Sequence, residues 1–223
     1  MIDALRIVRH GHLSTEAQKY SRCANCAVVD TSFDRVKIGT PCPKCGAPST
    51  GGEVFYDLSV LVFVDLIQEA YNSLPPGNDG VGDNMERVHA HSGSVLILYC
   101  ILKELLLLRF IDSLMTSQNI PNAIRERLVA DNDSHSRRLL KLFPALTGAK
   151  WNEALDLLRL AMKYDWIAID EFIEKATRAR NEFIHEGNFQ VANRQIASEC
   201  LMNLFPLLEL FVALNNTYLS RFA

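Results

Sequence analysis

The chain has 223 residues, a length that suits one medium domain or a medium domain with a small one attached. Its hydrophobic content is that of a globular protein, and its formal net charge of −3 excludes a general polycation. Residues 1–50 carry seven Lys/Arg against four Asp/Glu, a balance of +3, so the remainder carries −6 and any nucleic-acid contact must use a local patch.

The opening residues Met1-Ile2-Asp3 lack the charged-then-apolar pattern of a signal peptide. The segment from Met1 to Tyr20 reads as one or two short helices, with Thr15 to Gln18 resembling a capping box. His10 and His12 read as exposed. Cys23-Ala24-Asn25-Cys26 and Cys42-Pro43-Lys44-Cys45-Gly46 follow. Val28, Val29, Phe33, Val36 and Ile38 make the span between them strand-like, with a turn at Gly39-Thr40-Pro41. Two such knuckles joined by a hairpin place four thiolates around one Zn²⁺; the alternative is a redox dithiol pair. Four protein ligands leave no open position, so this zinc is structural rather than catalytic. The unit reads as a zinc ribbon over residues 1–52. Arg22, Arg35, Lys37 and Lys44 suit a nucleic-acid surface, and a solvated surface explains them equally. Cys100 and Cys200 lie in apolar helical context and read as core, and the cysteine usage implies a reducing, cytoplasmic setting.

Pro48 to Gly52 reads as a linker, and residues 53–223 read as an all-helical domain. Asp57 is placed to cap a helix from Leu58 to Leu74. The Pro75–Asp83 stretch breaks it and reads as a mobile loop. A long helix follows over about Met85 to Ser117, whose apolar run from Val95 to Ile111 is broken by Lys103, Glu104 and Arg109, so no membrane span is expected. Glu104 stands on an apolar face among Cys100, Ile101, Leu107 and Leu108. A carboxylate there wants a cation. Arg180 is the preferred partner; Lys103, Arg109 or another arginine are the alternatives. His89 and His91 have no assigned role. Pro121 suits a helix N1 position. Arg125, Arg127, Arg137, Arg138 and Lys141 either line an RNA path or form a solvated face, and His135 reads as a surface residue among them. Trp151, Ala154, Leu155, Leu158, Ala161 and Met162 mark a core helix, and a last helix over about Asn193 to Arg221 should kink at Pro206.

Between these two lies the most informative helix. Ile169, Phe172, Ile173, Ala176, Phe183 and Ile184 recur at helical spacing, with Asp170 as N-cap or first-turn acid and Gly187 as the stop. Arg180 falls in the apolar stripe, while Asn181 and His185, four apart, share a face beside it. Helix C-termini attract positive charge, and His185 stands at one. A fixed cation, an amide and an imidazole on one turn suit work on a phosphodiester. The plain alternative is an Arg180 paired with a buried carboxylate, a capping Asn181 and a decorative His185.

The motif Arg180-Asn181-x-x-x-His185, late in a helical domain, resembles that of the HEPN superfamily (higher eukaryotes and prokaryotes nucleotide-binding), over roughly Gly52 to Ala223. The resemblance implies a HEPN-like helical bundle and a metal-independent endoribonuclease that cuts RNA by 2′-OH attack. His185 would transfer protons, Arg180 would stabilise the phosphate, Asn181 would orient, and Glu104 would fix Arg180. It also implies a homodimer and a toxin or antiviral defence setting. Two other readings remain: a non-catalytic nucleic-acid- or protein-binding dimerisation module, and a HEPN partner of a two-component toxin–antitoxin system governed by a regulatory protein.

Overall fold

The computed structural model describes residues 12–31, 37–51, 54–76, 84–159 and 164–220. His10, Phe33, Arg35, Val36, Gly52, Ala161, Met162, Arg221 and most of the Pro75–Asp83 stretch lie outside them. The described chain is mainly helical, with one two-stranded sheet and a cysteine cluster near the N-terminus.

In chain order, α1 is Leu13–Ala17 and is followed by the strands β1 (Ser21–Arg22) and β2 (Val29–Asp30). Then come α2 (Leu58–Asn72), α3 (Asn84–Ser117) and α4 (Asn122–Asp131). The short α5 (His135–Arg137) continues through a π turn, Arg138–Leu142, into α6 (Phe143–Thr147). The chain closes with α7 (Trp151–Arg159), α8 (Trp166–His185), α9 (Arg194–Met202) and α10 (Leu204–Tyr218). These elements gather into two compact units, each assembled from separate stretches of sequence. The first comprises Met1–Lys19, Tyr56–Lys103 and Ala168–Leu208, and the second Tyr20–Phe55, Glu104–Ile167 and Glu209–Ala223.

In the first unit, the Asp57 carboxylate accepts from the amides of Ser59 and Val60, capping α2 as its side chain predicts. The buried face of α2 is Val60, Val64, Ile67 and Gln68. Gln68 is buried because its Oε1 takes the Leu13 amide at 2.7 Å, satisfying a helix-start donor. The Tyr71 and Ser198 hydroxyls meet at 3.1 Å. Tyr99 stacks edge-on against Phe172, with ring centroids 5.6 Å apart, and the Cys100 thiol donates to the Ala176 carbonyl. Cys100 and Cys200 are both core residues.

The second unit is held by an aromatic cluster. Phe110 lies 6.2–6.4 Å from Phe143, Phe211 and Tyr218, and Phe143 lies 5.2 Å from Trp151. Each such ring buries a large apolar area and adds edge-to-face attraction. Its Cys-rich part is joined to α10 by side-chain amides. Asn216 pairs with Val29 as a neighbouring strand would, accepting from its amide at 2.7 Å and donating to its carbonyl at 2.9 Å. Asn215 donates to the Ala27 carbonyl at 2.7 Å, and the Tyr20 hydroxyl reaches Glu209 at 2.9 Å.

Several sequence expectations shift. His12 takes the N-cap position of α1, so Thr15 sits inside the helix and no capping box forms. Pro121 occupies the N-cap of α4, one residue before N1, its carbonyl accepting from Ile124 and Arg125. α8 begins at Trp166, which leaves Asp170 inside the helix rather than at its start. The last helix is two helices, broken at Asn203. Pro206 has no N–H for the Met202 carbonyl, so one bond of the ladder is missing, while Asn203 still donates to Glu199 and Leu207 to Asn203, and the interruption is one residue long. Arg194–Tyr218 is long and apolar enough to cross a membrane by composition, but 67% of its most apolar window is buried inside the protein, as in a core helix. Ile38, expected in a strand, is 82% exposed and lies in the turn at Gly39.

Candidate functional site

The four knuckle cysteines converge. All four Sγ atoms lie within 4.8 Å of one another, with Cys23–Cys45 at 3.7 Å and Cys26–Cys42 at 3.8 Å. These are not disulfide separations, which are about 2.0 Å. A tetrahedral ion held by four sulfurs at about 2.3 Å sets its ligands about 3.8 Å apart, so the donor set fits a metal ion.

The chain builds the same turn twice. The amide of Ala27 donates to the Cys23 carbonyl and the amide of Cys23 to the Val28 carbonyl, each at 2.9 Å. The amide of Gly46 donates to the Cys42 carbonyl at 2.8 Å and that of Cys42 to the Ala47 carbonyl at 2.9 Å. The fifth residue of each turn is left-handed, Ala27 at φ 61° and Gly46 at φ 71°. Glycine takes that conformation readily, whereas alanine must be held there, and the Asn215 bond to the Ala27 carbonyl helps hold it. Burial pushes the Cys26 thiol up to about 12, the neighbouring thiols adding to it. Cys45 is drawn down to about 6, first by the Asn25 amide that donates to its sulfur at 3.5 Å, then by the Ala47 amide.

The second constellation is the end of α8. The helix ends at His185, and Gly187 takes φ 66°, the left-handed stop its sequence position predicts. The amides of Glu186 and Asn188 both donate to the Glu182 carbonyl, closing the last turn. Ile169, Ile173 and Ala176 form the buried stripe. Arg180 is half-buried in line with it, while Asn181 and His185 are exposed on the neighbouring face. Gly93 fixes how closely α8 approaches α3: a Cβ at Gly93 would lie 2.5 Å from the Phe183 ring. The ring of Phe183 in turn stacks on Phe189, centroids 5.7 Å apart.

Glu104 is half-buried on α3. The deeply buried charge on α3 is its neighbour Lys103, 2% exposed, whose Nζ donates to Thr177 Oγ1 at 2.9 Å. His89 is held by a 2.9 Å hydrogen bond between Nδ1 and the Ala192 carbonyl. The arginines of α4 to α6 are taken up locally. Arg125 pairs with Asp112, Arg127 with Asp131 and Arg137 with Asp133, and buried Arg138 donates to the Asp133 carbonyl. That arrangement favours the solvated face over the RNA path for this cluster.

A cleft of about 440 Å³ lies along α8 in the first unit, between Lys175, Arg178 and Glu182 on one side and Asn193, Gln195 and Glu199 on the other. Reasoning from sequence did not single it out. Its one sequence-level trace is the basic pair Lys175 and Arg178, spaced by three on the face opposite the apolar stripe.

Comparison with protein-family models, with curated proteins and with solved structures finds no match to this chain.

Proposed function

We propose that the protein is a metal-independent endoribonuclease of HEPN type, working as a homodimer in the cytoplasm, with a structural zinc in the four-cysteine site. The observation that carries the reading is the last two turns of α8: a half-buried guanidinium at Arg180, with the exposed amide of Asn181 and imidazole of His185 beside it.

In the proposed reaction the ribose 2′-oxygen forms a bond to the adjacent phosphorus and the bond from phosphorus to the 5′-oxygen breaks. The 2′-OH proton passes to an imidazole, and an imidazolium returns a proton to the leaving 5′-oxygen. The products are a 2′,3′-cyclic phosphate and a 5′-OH. His185 moves protons, a role worth roughly 10²–10⁴-fold. Arg180 stabilises the charge that grows on the phosphate oxygens. Asn181 orients the imidazole or the scissile group. Arg180 on an apolar stripe supports a two-fold interface beside the phosphate, because a guanidinium with one side packed and one side open fits both tasks.

Zinc suits the all-sulfur donor set better than hard oxygen-seeking cations do. With four protein ligands it supplies folding energy to the Cys-rich segment, not chemistry. Cleavage of RNA by wild-type protein and its loss in His185→Ala test the reading. Binding of RNA without cleavage would favour the non-catalytic module instead.

A further inference from the structure

Arg178, Asn181 and His185 follow at i, i+3 and i+7 on one continuous helix, and all three are exposed. They therefore share a face, with Arg178 about 10 Å along the axis from His185. Arg178 also lines the cleft, so the cleft opens on the face that carries Asn181 and His185, while Arg180 lies across the helix on the apolar stripe.

The cleft's other cation is committed. Lys175 Nζ pairs with Glu199 Oε2 at 2.5 Å, and Gln195 donates to Glu199 Oε1 at 3.0 Å. That pairing and the Gln195 bond hold the Glu199 carboxyl below its usual range, against the effect of burial. Glu182, four residues after Arg178, is the ordinary helix partner for it. Instead its carboxylate takes the Asn188 amide at 3.3 Å. Among the described residues the Arg178 side chain makes no ion pair or hydrogen bond. The cleft thus holds one uncommitted guanidinium above a partly apolar floor of Ala179, Val191 and Ile196. A guanidinium forks onto two phosphate oxygens, and an apolar floor suits the flat face of a base or ribose.

We propose that this cleft is the subsite for the RNA nucleotide flanking the scissile bond, with Arg178 holding that nucleotide's phosphate. The assignment rests on the ribonuclease reading and adds a binding residue outside the Arg180–His185 motif. Arg178 is a positioning residue, because it grips a phosphate that does not react.

The test uses the intact, zinc-loaded chain. His185→Ala serves as a cleavage-silent host, and its binding to fluorescein-labelled single-stranded RNA is followed by anisotropy as a function of salt. Adding Arg178→Ala should weaken binding roughly tenfold, the loss of one charge-assisted hydrogen-bonded contact. The salt slope should fall by about 0.7, the share of one single-strand phosphate contact. Replacing phosphates one at a time by methylphosphonate should reveal a linkage that matters in His185→Ala and not in the double variant. Arg178→Lys in the same host should restore the salt slope. Unchanged affinity and slope in the double variant would overturn the subsite while leaving wild-type cleavage, and so the ribonuclease reading, intact. RNA neither bound by His185→Ala nor cut by wild type would overturn both.

Discussion

The Cys-rich segment and the end of α8 are both short motifs, yet they complete themselves differently. The first carries all its ligands within residues 23–45 and closes them to within 4.8 Å of one another. The second sets out three side chains and leaves two of them, Asn181 and His185, facing solvent. A metal site is finished by its own chain and an ion. On the proposed ribonuclease reading, the site on α8 stays open for an RNA chain and a second copy of the protein.

The largest effect should separate the two regions outright. Removing the metal, or changing Cys42→Ser, should withdraw on the order of 10 kcal/mol from the folding of the Cys-rich segment. Elemental analysis should give one zinc per chain, and hydrogen exchange over residues 20–51 should quicken when it is lost, through more frequent opening of turns that still form. Full protection in metal-free protein would break the distinction from that side.

His185→Ala should do the reverse. Cleavage should fall roughly 10²–10⁴-fold. Stability should change by less than about 0.5 kcal/mol, because the side chain is exposed at a helix end. Zinc content should not change. A large drop in thermal midpoint would mean that this helix end is structural after all.

Gly93→Ala tests how the open site is held. The new Cβ would meet the tip of the Phe183 ring at 2.5 Å, and overpacking of this kind costs about 1–3 kcal/mol, against about 1 kcal/mol gained by replacing a mid-helix glycine. Denaturant unfolding should show the loss, and cleavage should fall with it, since the Phe183 turn carries Arg180 and His185. Wild-type stability would show that α8 can shift freely.

The smallest effect concerns the metal-free thiols. The Cys45 thiol, lowered to about 6, stabilises the metal-free fold fully above the ordinary value of 9.0, and that contribution is lost as pH falls through 6. Cys26, raised to about 12, stabilises it below 9.0 and loses that contribution as pH rises toward 12. At pH 7.5, with zinc removed, iodoacetamide should therefore label Cys45 first and Cys26 last, as mass spectrometry of peptides would read. Equal rates would mean that the turns do not survive without metal.

What was legible in the sequence follows the range of the interaction. The Cys-x-x-Cys spacing, the Asp57 cap and the Gly187 stop are fixed within a few residues, and all three stand where the chain order predicts. Pro206 signals an interruption, and one is found at Asn203, three residues before it. Gly93, isolated inside a 34-residue helix, was a readable hint of close approach. Asn215 and Asn216 were not readable, because their partners at Ala27 and Val29 lie nearly the whole chain away. Nor was the 2%-exposed Lys103 readable as a buried charge, because its Thr177 partner comes from another helix. For the arginines of α4 and α5 the answer was present in part: Asp131 and Asp133 stand four residues from Arg127 and Arg137.

The proposed function stands or falls on whether the end of α8 cuts RNA through the 2′-hydroxyl. The decisive experiment is an end-group analysis of RNA incubated with purified protein in EDTA, beside the same RNA carrying 2′-O-methyl groups. The expected products carry 2′,3′-cyclic phosphate and 5′-hydroxyl ends, with no cutting at methylated positions and none by His185→Ala. Ends bearing a 3′-hydroxyl, or undiminished cutting by His185→Ala, would contradict it.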